Sequence, residues 1–456
     1  MARALFAAHD TSTAEGRTRE RYRRVALSVA SGIGGRALAT AASLVTTPLL
    51  LGHLGKDRFG LYSAVMATVA WLSLLEMGMA SGLVNVVAEA SGRGDRRAAA
   101  SYVATAFALL VVASVAAGAL FAAAAGELPW QTIFGAVGRV PAGEVHAAAV
   151  AAVATFLMAL PFAVAGPAQA GFQRSYVGNI FAMISAAGIL LAVWLAARLG
   201  ATLPGLIWAV GATTAAVGMA SLAALLRAER WPLRTFLARV SRRAWTRLSR
   251  TAIPLFLFQI GALMVNQSQL LILSHTSTLA TTADYAIIVR IVQIFSGVIL
   301  LATGAFFPAY REAIERGDHG WVQGGFRRML VLRMVMAGVF AAGLILAGND
   351  LLKLWLRLDD VEFAPAVWMV LATYLLTSAW VSAHSELLTV LDRIWVQVSL
   401  VLVNGLVTVL FTLWLSPTYG VAGVLVASAF VTTVGWTWVF PLLTRSVLRR
   451  SPRGAP

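Results

Sequence analysis

The chain has 456 residues, 59% of them hydrophobic and 12% charged, with mean hydropathy +0.78 and a formal net charge of +16. A soluble domain carries about 25% charged residues, so half that share excludes an ordinary water-facing surface and predicts an all-α polytopic membrane protein. The absence of cysteine excludes disulfides and thiolate metal sites.

Taken in order, residues 1–24 form a polar, Arg-rich tail, expected to be cytoplasmic. The apolar run that follows is too long for a signal-peptide core and reads as a retained first span. Runs of about 20 apolar residues, each long enough to cross a bilayer, then recur. In the first half they are Val25–Leu51, Phe59–Ala88, Ser101–Ala124, Ala147–Ala170, Tyr176–Ala197 and Leu203–Leu226. In the second half they are Ile253–Leu273, Ala283–Phe307, Leu330–Ala347, Ala364–Leu388, Trp395–Leu415 and Val421–Leu443. The expected organisation is an N-lobe of six spans (25–226), a basic amphipathic linker (227–250), a C-lobe of six spans (251–444) and a tail (445–456).

The two halves carry a repeat. Glu89-Ala90-x-x-Arg93-Gly94-Asp95 closes one apolar run and Glu312-Ala313-x-x-Arg316-Gly317-Asp318 another, 223 residues apart, and the same offset carries Tyr62 onto Tyr285. Gln173-Arg174 and Asp392-Arg393 follow corresponding spans at an offset of 219. Fixed-offset matches in one context indicate a duplicated chain. With six spans each, the halves share one orientation, as parallel repeats with a site expected near the midplane.

Loop charges set the orientation. Of 36 Lys and Arg, 27 lie on the side shared by both termini, 6 on the other, and 3 inside spans. Both termini are therefore expected to be cytoplasmic, and the net charge is a topology signal rather than a nucleic-acid surface. Between the halves, Leu233, Leu237, Val240, Ala244 and Leu248 fall on one helical stripe, with Arg234, Arg239, Arg242, Arg243 and Arg247 off it. That pattern predicts a helix over Trp231–Arg250 lying on an anionic leaflet; a plain positive anchor is the alternative.

Charges inside spans are the sharpest functional signal, since each costs roughly 2.5–3.5 kcal/mol near a helix centre. Arg36 lies 12 residues beyond Arg24, about 18 Å along the axis. Glu76 falls near the middle of the second span. Two readings stand: an Arg36–Glu76 ion pair that fixes packing, or Arg36 holding an anionic substrate with Glu76 positioning it or titrating. Arg290, six residues after Asp284, is expected near the outer end of its span, where it either snorkels or faces a cavity and binds phosphate through its planar fork. Arg333 is expected to snorkel. Gln259, Asn266 and Gln269 share one face of the seventh span, with Gln267 rotated away; three amides suit hydroxyl-rich ligands and equally suit helix–helix bonding. His384 and Glu386 read as interfacial, a proton relay being the alternative. Glu127 and Glu144, in the longest outer loop, have no evident partner. No P-loop and no metal-ligand spacing occurs, so neither ATP coupling nor a cofactor is expected.

Several segments resemble one family. Leu54-Gly55-Lys56-Asp57-Arg58-Phe59-Gly60-Leu61-Tyr62 is similar to the LG-x-x-x-(Y/F)-G-x-(Y/W) signature of polysaccharide-exporter flippases. Leu75-Glu76-Met77-Gly78-Met79, the segment from Pro308-Ala309 through Asp318 to Trp321, and Gly420-Val421-Ala422-Gly423 resemble further family segments in the same order. The likeness covers nearly the whole chain from about residue 22. It implies a member of the multidrug/oligosaccharidyl-lipid/polysaccharide (MOP) exporter superfamily with a MATE-like fold of twelve spans. Such a protein moves an undecaprenyl-pyrophosphate-linked oligosaccharide from the cytoplasmic to the outer leaflet of the inner membrane. Family members place cations in the first and eighth spans, where Arg36 and Arg290 stand; Glu76 departs from the pattern because it can neutralise Arg36. Expected partners are the lipid-linked oligosaccharide and membrane lipids, with a polysaccharide polymerase and other assembly proteins as candidates and no nucleic acid. The rival readings are a cation-coupled multidrug antiporter on the same fold and a non-transporting envelope scaffold.

Overall fold

The structure, a computed structural model, describes residues 14–303, 306–358, 361–390 and 394–450. Among them there is helix and no strand. Ten helices are long and apolar enough to cross a membrane. Two of these, Ala26–Glu76 and Ile394–Thr444, are 51 residues long, about 76 Å at 1.5 Å per residue. Each is more than twice the ~30 Å hydrocarbon core, and each is interrupted by non-helical backbone, at Gly55 (φ 72°) and Gly420 (φ 53°). Each interrupted helix is long enough to supply two spans, which brings the described helices into line with a twelve-span plan.

The helices are α1 (Ala14–Leu72), α2 (Met79–Gly92), α3 (Arg96–Ala124), α4 (Trp130–Ile133), α5 (Ala142–Ala159), α6 (Ala165–Gly171), α7 (Ser175–Arg198) and α8 (Leu203–Ala228). There follow α9 (Leu233–Leu237), α10 (Arg242–Asn266), α11 (Ser268–Thr276), α12 (Leu279–Thr303), α13 (Phe306–Glu315), α14 (His319–Leu356), α15 (Pro365–Val390), α16 (Ile394–Phe430) and α17 (Val439–Arg450). Pro161 lies in a 3₁₀ turn, Leu160–Val164, that separates α5 from α6. Pro204 and Pro365 begin helices, where a missing N–H costs nothing. Many large apolar side chains point outward, such as Leu120 (73% exposed), Leu346 (84%) and Trp414 (73%), as a surface solvated by lipid tails requires.

By backbone proximity the chain forms two compact units. One comprises the described residues within 1–46, 72–128 and 146–256; the other comprises those within 47–71, 129–145 and 257–456. The first has a core rich in small residues, with Ala99, Ala100, Ala104, Ala106 and Ala168 packed among Leu83, Val87 and Val103. Small side chains let helix backbones approach closely where lipid offers no hydrophobic drive to associate. In the second unit, Tyr310, Val322, Met329 and Leu387 form one cluster, and Leu388, Val431, Trp436 and Phe440 another.

The repeat has one local structure in both copies. Gly94 (φ 72°) and Gly317 (φ 73°) are left-handed, a conformation that a Cβ disfavours. In the first copy Gly94 donates to Ser91 O and Asp95 to Ala90 O; in the second Gly317 donates to Ile314 O and Asp318 to Ala313 O. Both are Schellman closures of a helix. Each aspartate then caps the next helix, accepting from Ala98 N or Trp321 N at 2.9 Å. In each copy the arginine pairs with the glutamate one turn before it. Asp392-Arg393 lies outside the described residues.

The linker departs from its expected single helix. The chain leaves helical geometry over residues 238–241, where Ser101 Oγ donates to Arg239 O (2.8 Å) and Ser241 N donates to Thr105 Oγ1 (3.1 Å). This break splits the apolar stripe. Leu233, Leu237 and Val240 are exposed, while Ala244 and Leu248 are buried. Phe236, absent from the stripe, is fully buried and stacks on Trp231.

Candidate functional site

Within the second unit, a cavity of about 190 Å³ opens beside α12, with Arg290 and Gln293 on one wall. Tyr62, Ser63 and Met66 of α1 and Gln267 from the α10–α11 junction complete it. Helix α12 starts at Leu279, not near Ala283 as its apolar run suggested, because Thr278 caps it: Thr281 N donates to Thr278 Oγ1 at 3.1 Å. Arg290 therefore stands 11 residues into the helix, about 16 Å from its start. Its Nη1 donates to Gln293 Oε1 at 2.9 Å, and among the described residues no carboxylate pairs with it. The Tyr62 phenol lies within electrostatic reach of the guanidinium.

The signature around residue 60 builds this wall. A Cβ on Gly60 would lie 1.9 Å from Leu279 O, so only glycine lets α1 run this close to the start of α12. Phe59 is buried and stacks on Tyr62, with ring centroids 6.3 Å apart. Glu144 has a partner after all. It accepts two hydrogen bonds from Arg58, at 2.8 and 3.0 Å, and Arg139 lies 3.7 Å from Asp57.

The amide stripe does not form as a helical wheel places it. α10 ends at Asn266 and α11 begins at Ser268, with Gln267 between them at φ −119°. A wheel drawn for an unbroken helix fails across that junction. Gln267, expected to point away, lines the Arg290 cavity. Asn266 is exposed and its amide donates to Ala262 O at 2.7 Å. Gln269 is buried, with its amide nitrogen bonded to Val265 O. Gln259 is half-buried on α10.

Arg36 and Glu76 belong to the first unit. Arg36 is exposed on α1, and among the described residues it makes no ion pair with Glu76. Glu76 ends a 3₁₀ turn, Ser73–Glu76, after which Met77 (φ 48°) and Gly78 (φ 67°) are left-handed. The second span thus breaks at its acidic residue. The half-buried carboxylate lines a small apolar cavity with Met79, Leu83, Ala106 and Val164.

Sequence reasoning missed one polar centre. Arg333, expected to snorkel, is the largest fully buried side chain, at 1% exposure. Helix α14 begins at His319, 11 residues ahead of the expected span, so Arg333 lies about 21 Å from its start. Its Nε and Nη2 donate to Thr303 Oγ1 (3.1 and 2.7 Å), Nη1 to Ser382 Oγ (3.3 Å), and Nη2 to Glu386. His384, two residues from both Ser382 and Glu386, is buried against Phe326 and Trp380. The signal available was a charge inside a span together with Glu386, which is the partner a buried arginine needs.

Helix content, span number and a polar centre deep in an apolar helix define a polytopic helical membrane protein of MATE-like fold. Among solved structures the chain is similar to a multidrug resistance MATE family transporter of the MOP superfamily, in its inward-facing conformation. The TM-score is 0.74 at 14% identity, over 91% of this chain and 96% of that one. It is also similar to a MOP superfamily transporter from Pyrococcus furiosus, with a TM-score of 0.67 at 14% identity, over 94% and 96% of the two chains. At such identities the likeness carries the fold. No curated protein matches significantly. A sequence profile of the polysaccharide biosynthesis protein family matches residues 28–313, more than half of the chain. The chain belongs to this family, and family and fold together point to a membrane transporter rather than an enzyme.

Proposed function

We propose that this protein is a flippase that moves an undecaprenyl-pyrophosphate-linked oligosaccharide from the cytoplasmic to the outer leaflet, by alternating access between two lobes. Arg290 carries the reading. It is a guanidinium at the middle of a membrane-spanning helix, hydrogen-bonded to Gln293 and lining a cavity with Gln267, Tyr62 and Ser63. Unpaired charge is costly in hydrocarbon, so a cation without a carboxylate at that depth calls for an anion, and a pyrophosphate fits its fork. Amide and hydroxyl groups beside it offer donors and acceptors to sugars. The lipid tail stays in the bilayer. The loop charges support cytoplasmic termini, the family resemblance supports the inner membrane, and assembly proteins of the polysaccharide are candidate partners.

A second reading rests on Glu76, a half-buried carboxylate with apolar neighbours. A titrating acid is what a cation-coupled multidrug antiporter uses, and one fold hosts both activities. The deciding experiment reconstitutes the purified chain in liposomes and offers two substrates: a fluorescent lipid-pyrophosphate oligosaccharide read by outside quenching, and a cationic dye under a proton or sodium gradient. Movement of the lipid without a gradient-driven dye flux supports the flippase. Dye flux without lipid movement replaces it with the antiporter.

A further inference from the structure

The first unit holds a second polar cavity, of about 730 Å³, remote in sequence from the Arg290 site. Arg243, Arg247 and Arg250 of α10 face Ser101 and Tyr102 of α3 across it. The arginines are spaced by four and three residues, so they fall on one helical face. Two hydrogen bonds hold the walls together, Ser101 Oγ to Arg239 O and Ser241 N to Thr105 Oγ1. Glu89 accepts a 2.5 Å hydrogen bond from Arg247. Among the described residues no carboxylate pairs with Arg243 or Arg250.

Two features make this a receptor for an anion rather than a solvated basic face. α10 opens with Arg242 and Arg243 in its first turn, which sets cations against the positive end of the helix dipole. An anion in the cavity relieves both that repulsion and the crowding of three guanidinium groups. The same segment exposes Leu233 (57%), Leu237 (44%), Val240 (49%) and Trp245 (37%). Large apolar side chains interleaved with arginines are the composition of a surface lying at a lipid headgroup layer.

We infer that this cavity binds the phosphate group of an anionic glycerophospholipid. The lipid phosphate sits between Arg243 and Arg250, with the Tyr102 hydroxyl as a further donor, and its chains lie along the exposed apolar residues of the linker.

The test is native mass spectrometry of the full chain in detergent, incubated with phosphatidylglycerol or with phosphatidylcholine of the same acyl chains. The variant pair Arg243→Gln/Arg250→Gln is compared with Arg327→Gln/Arg328→Gln, which removes equal charge from another exposed site. At about 1 kcal/mol per arginine, the first pair lowers retention of phosphatidylglycerol about thirtyfold, while the second leaves it near wild type and phosphatidylcholine is indifferent to both. Equal losses in the two pairs, or full retention in the first, overturn the site. Inorganic phosphate added at constant ionic strength separates the sources. If lipid remains bound, the lipid assignment stands; if millimolar phosphate displaces it, the assignment to lipid is overturned in favour of a free phosphate. Should the double variant melt early, Arg250→Gln alone carries the comparison.

Discussion

Removing Glu386 should destabilise the second unit, because it strips the buried Arg333 of its carboxylate partner. Arg333 is 1% exposed and Glu386 is 26% exposed at the side chain. Truncating one partner of a buried pair costs about 3–5 kcal/mol, because the remaining charge is left without compensation. Glu386 retains some contact with its surroundings, so the lower part of that range applies, about 3 kcal/mol, or about a hundredfold in the folding equilibrium. The Thr303 and Ser382 hydroxyls stay as acceptors for Arg333 but carry no charge. In Glu386→Gln the amide oxygen preserves the hydrogen bond and only the charge is lost, so its cost falls between wild type and Glu386→Ala. Replacing both partners, as Arg333→Met with Glu386→Leu, removes the buried charge altogether and should return stability to within about 1 kcal/mol of wild type. Equilibrium unfolding in mixed micelles of rising dodecyl sulfate fraction measures all four proteins. A Glu386→Ala variant as stable as wild type, or a double variant worse than either single change, would refute the argument.

Three further outcomes follow from named contacts. Gly60→Ala should cost about 3 kcal/mol, since its Cβ meets the Leu279 carbonyl and backbone has to move. Gly52→Ala, with nothing within 4 Å of the added Cβ, should be neutral or stabilising by about 0.5–1 kcal/mol, and the same unfolding assay separates the two. The Arg247 hydrogen bond holds the Glu89 carboxyl below the usual carboxylate range. Its contribution is then full above the unfolded-state value and is lost as pH falls through the lowered folded value; the melting difference between wild type and Glu89→Gln should vanish in acid, and shrink in high salt. In liposomes, Gln267→Leu should slow lipid flipping severalfold while Gln269→Leu leaves it near wild type, because only Gln267 lines the Arg290 cavity.

The fold was legible because a bilayer imposes long apolar runs that few other structures need. The span Tyr176–Ala197 became α7 with one residue added at each end. The Glu-Ala-x-x-Arg-Gly-Asp repeat was legible for a similar reason, since each of its residues has a fixed role in closing one helix and capping the next. Depth was harder to read. Apolar runs undercount helix length where polar turns belong to the helix, as at the starts of α12 and α14, while Arg333 is buried by the partners Thr303, Ser382 and Glu386. Faces were hardest. A wheel assumes continuous 3.6-residue periodicity, which fails at Gln267 and over residues 238–241. Partners distant in sequence, such as Glu144 for Arg58 and Glu386 for Arg333, follow from tertiary packing that no local pattern records.

Flipping of a fluorescent lipid-pyrophosphate oligosaccharide by reconstituted Arg290→Gln, beside wild type and Arg290→Lys, tests the central claim most directly. If the mid-helix guanidinium holds the pyrophosphate, Arg290→Gln should abolish flipping while the protein still folds and inserts, and Arg290→Lys should restore only part of it, as a point charge replaces a bidentate fork. Wild-type rates in Arg290→Gln would contradict the account.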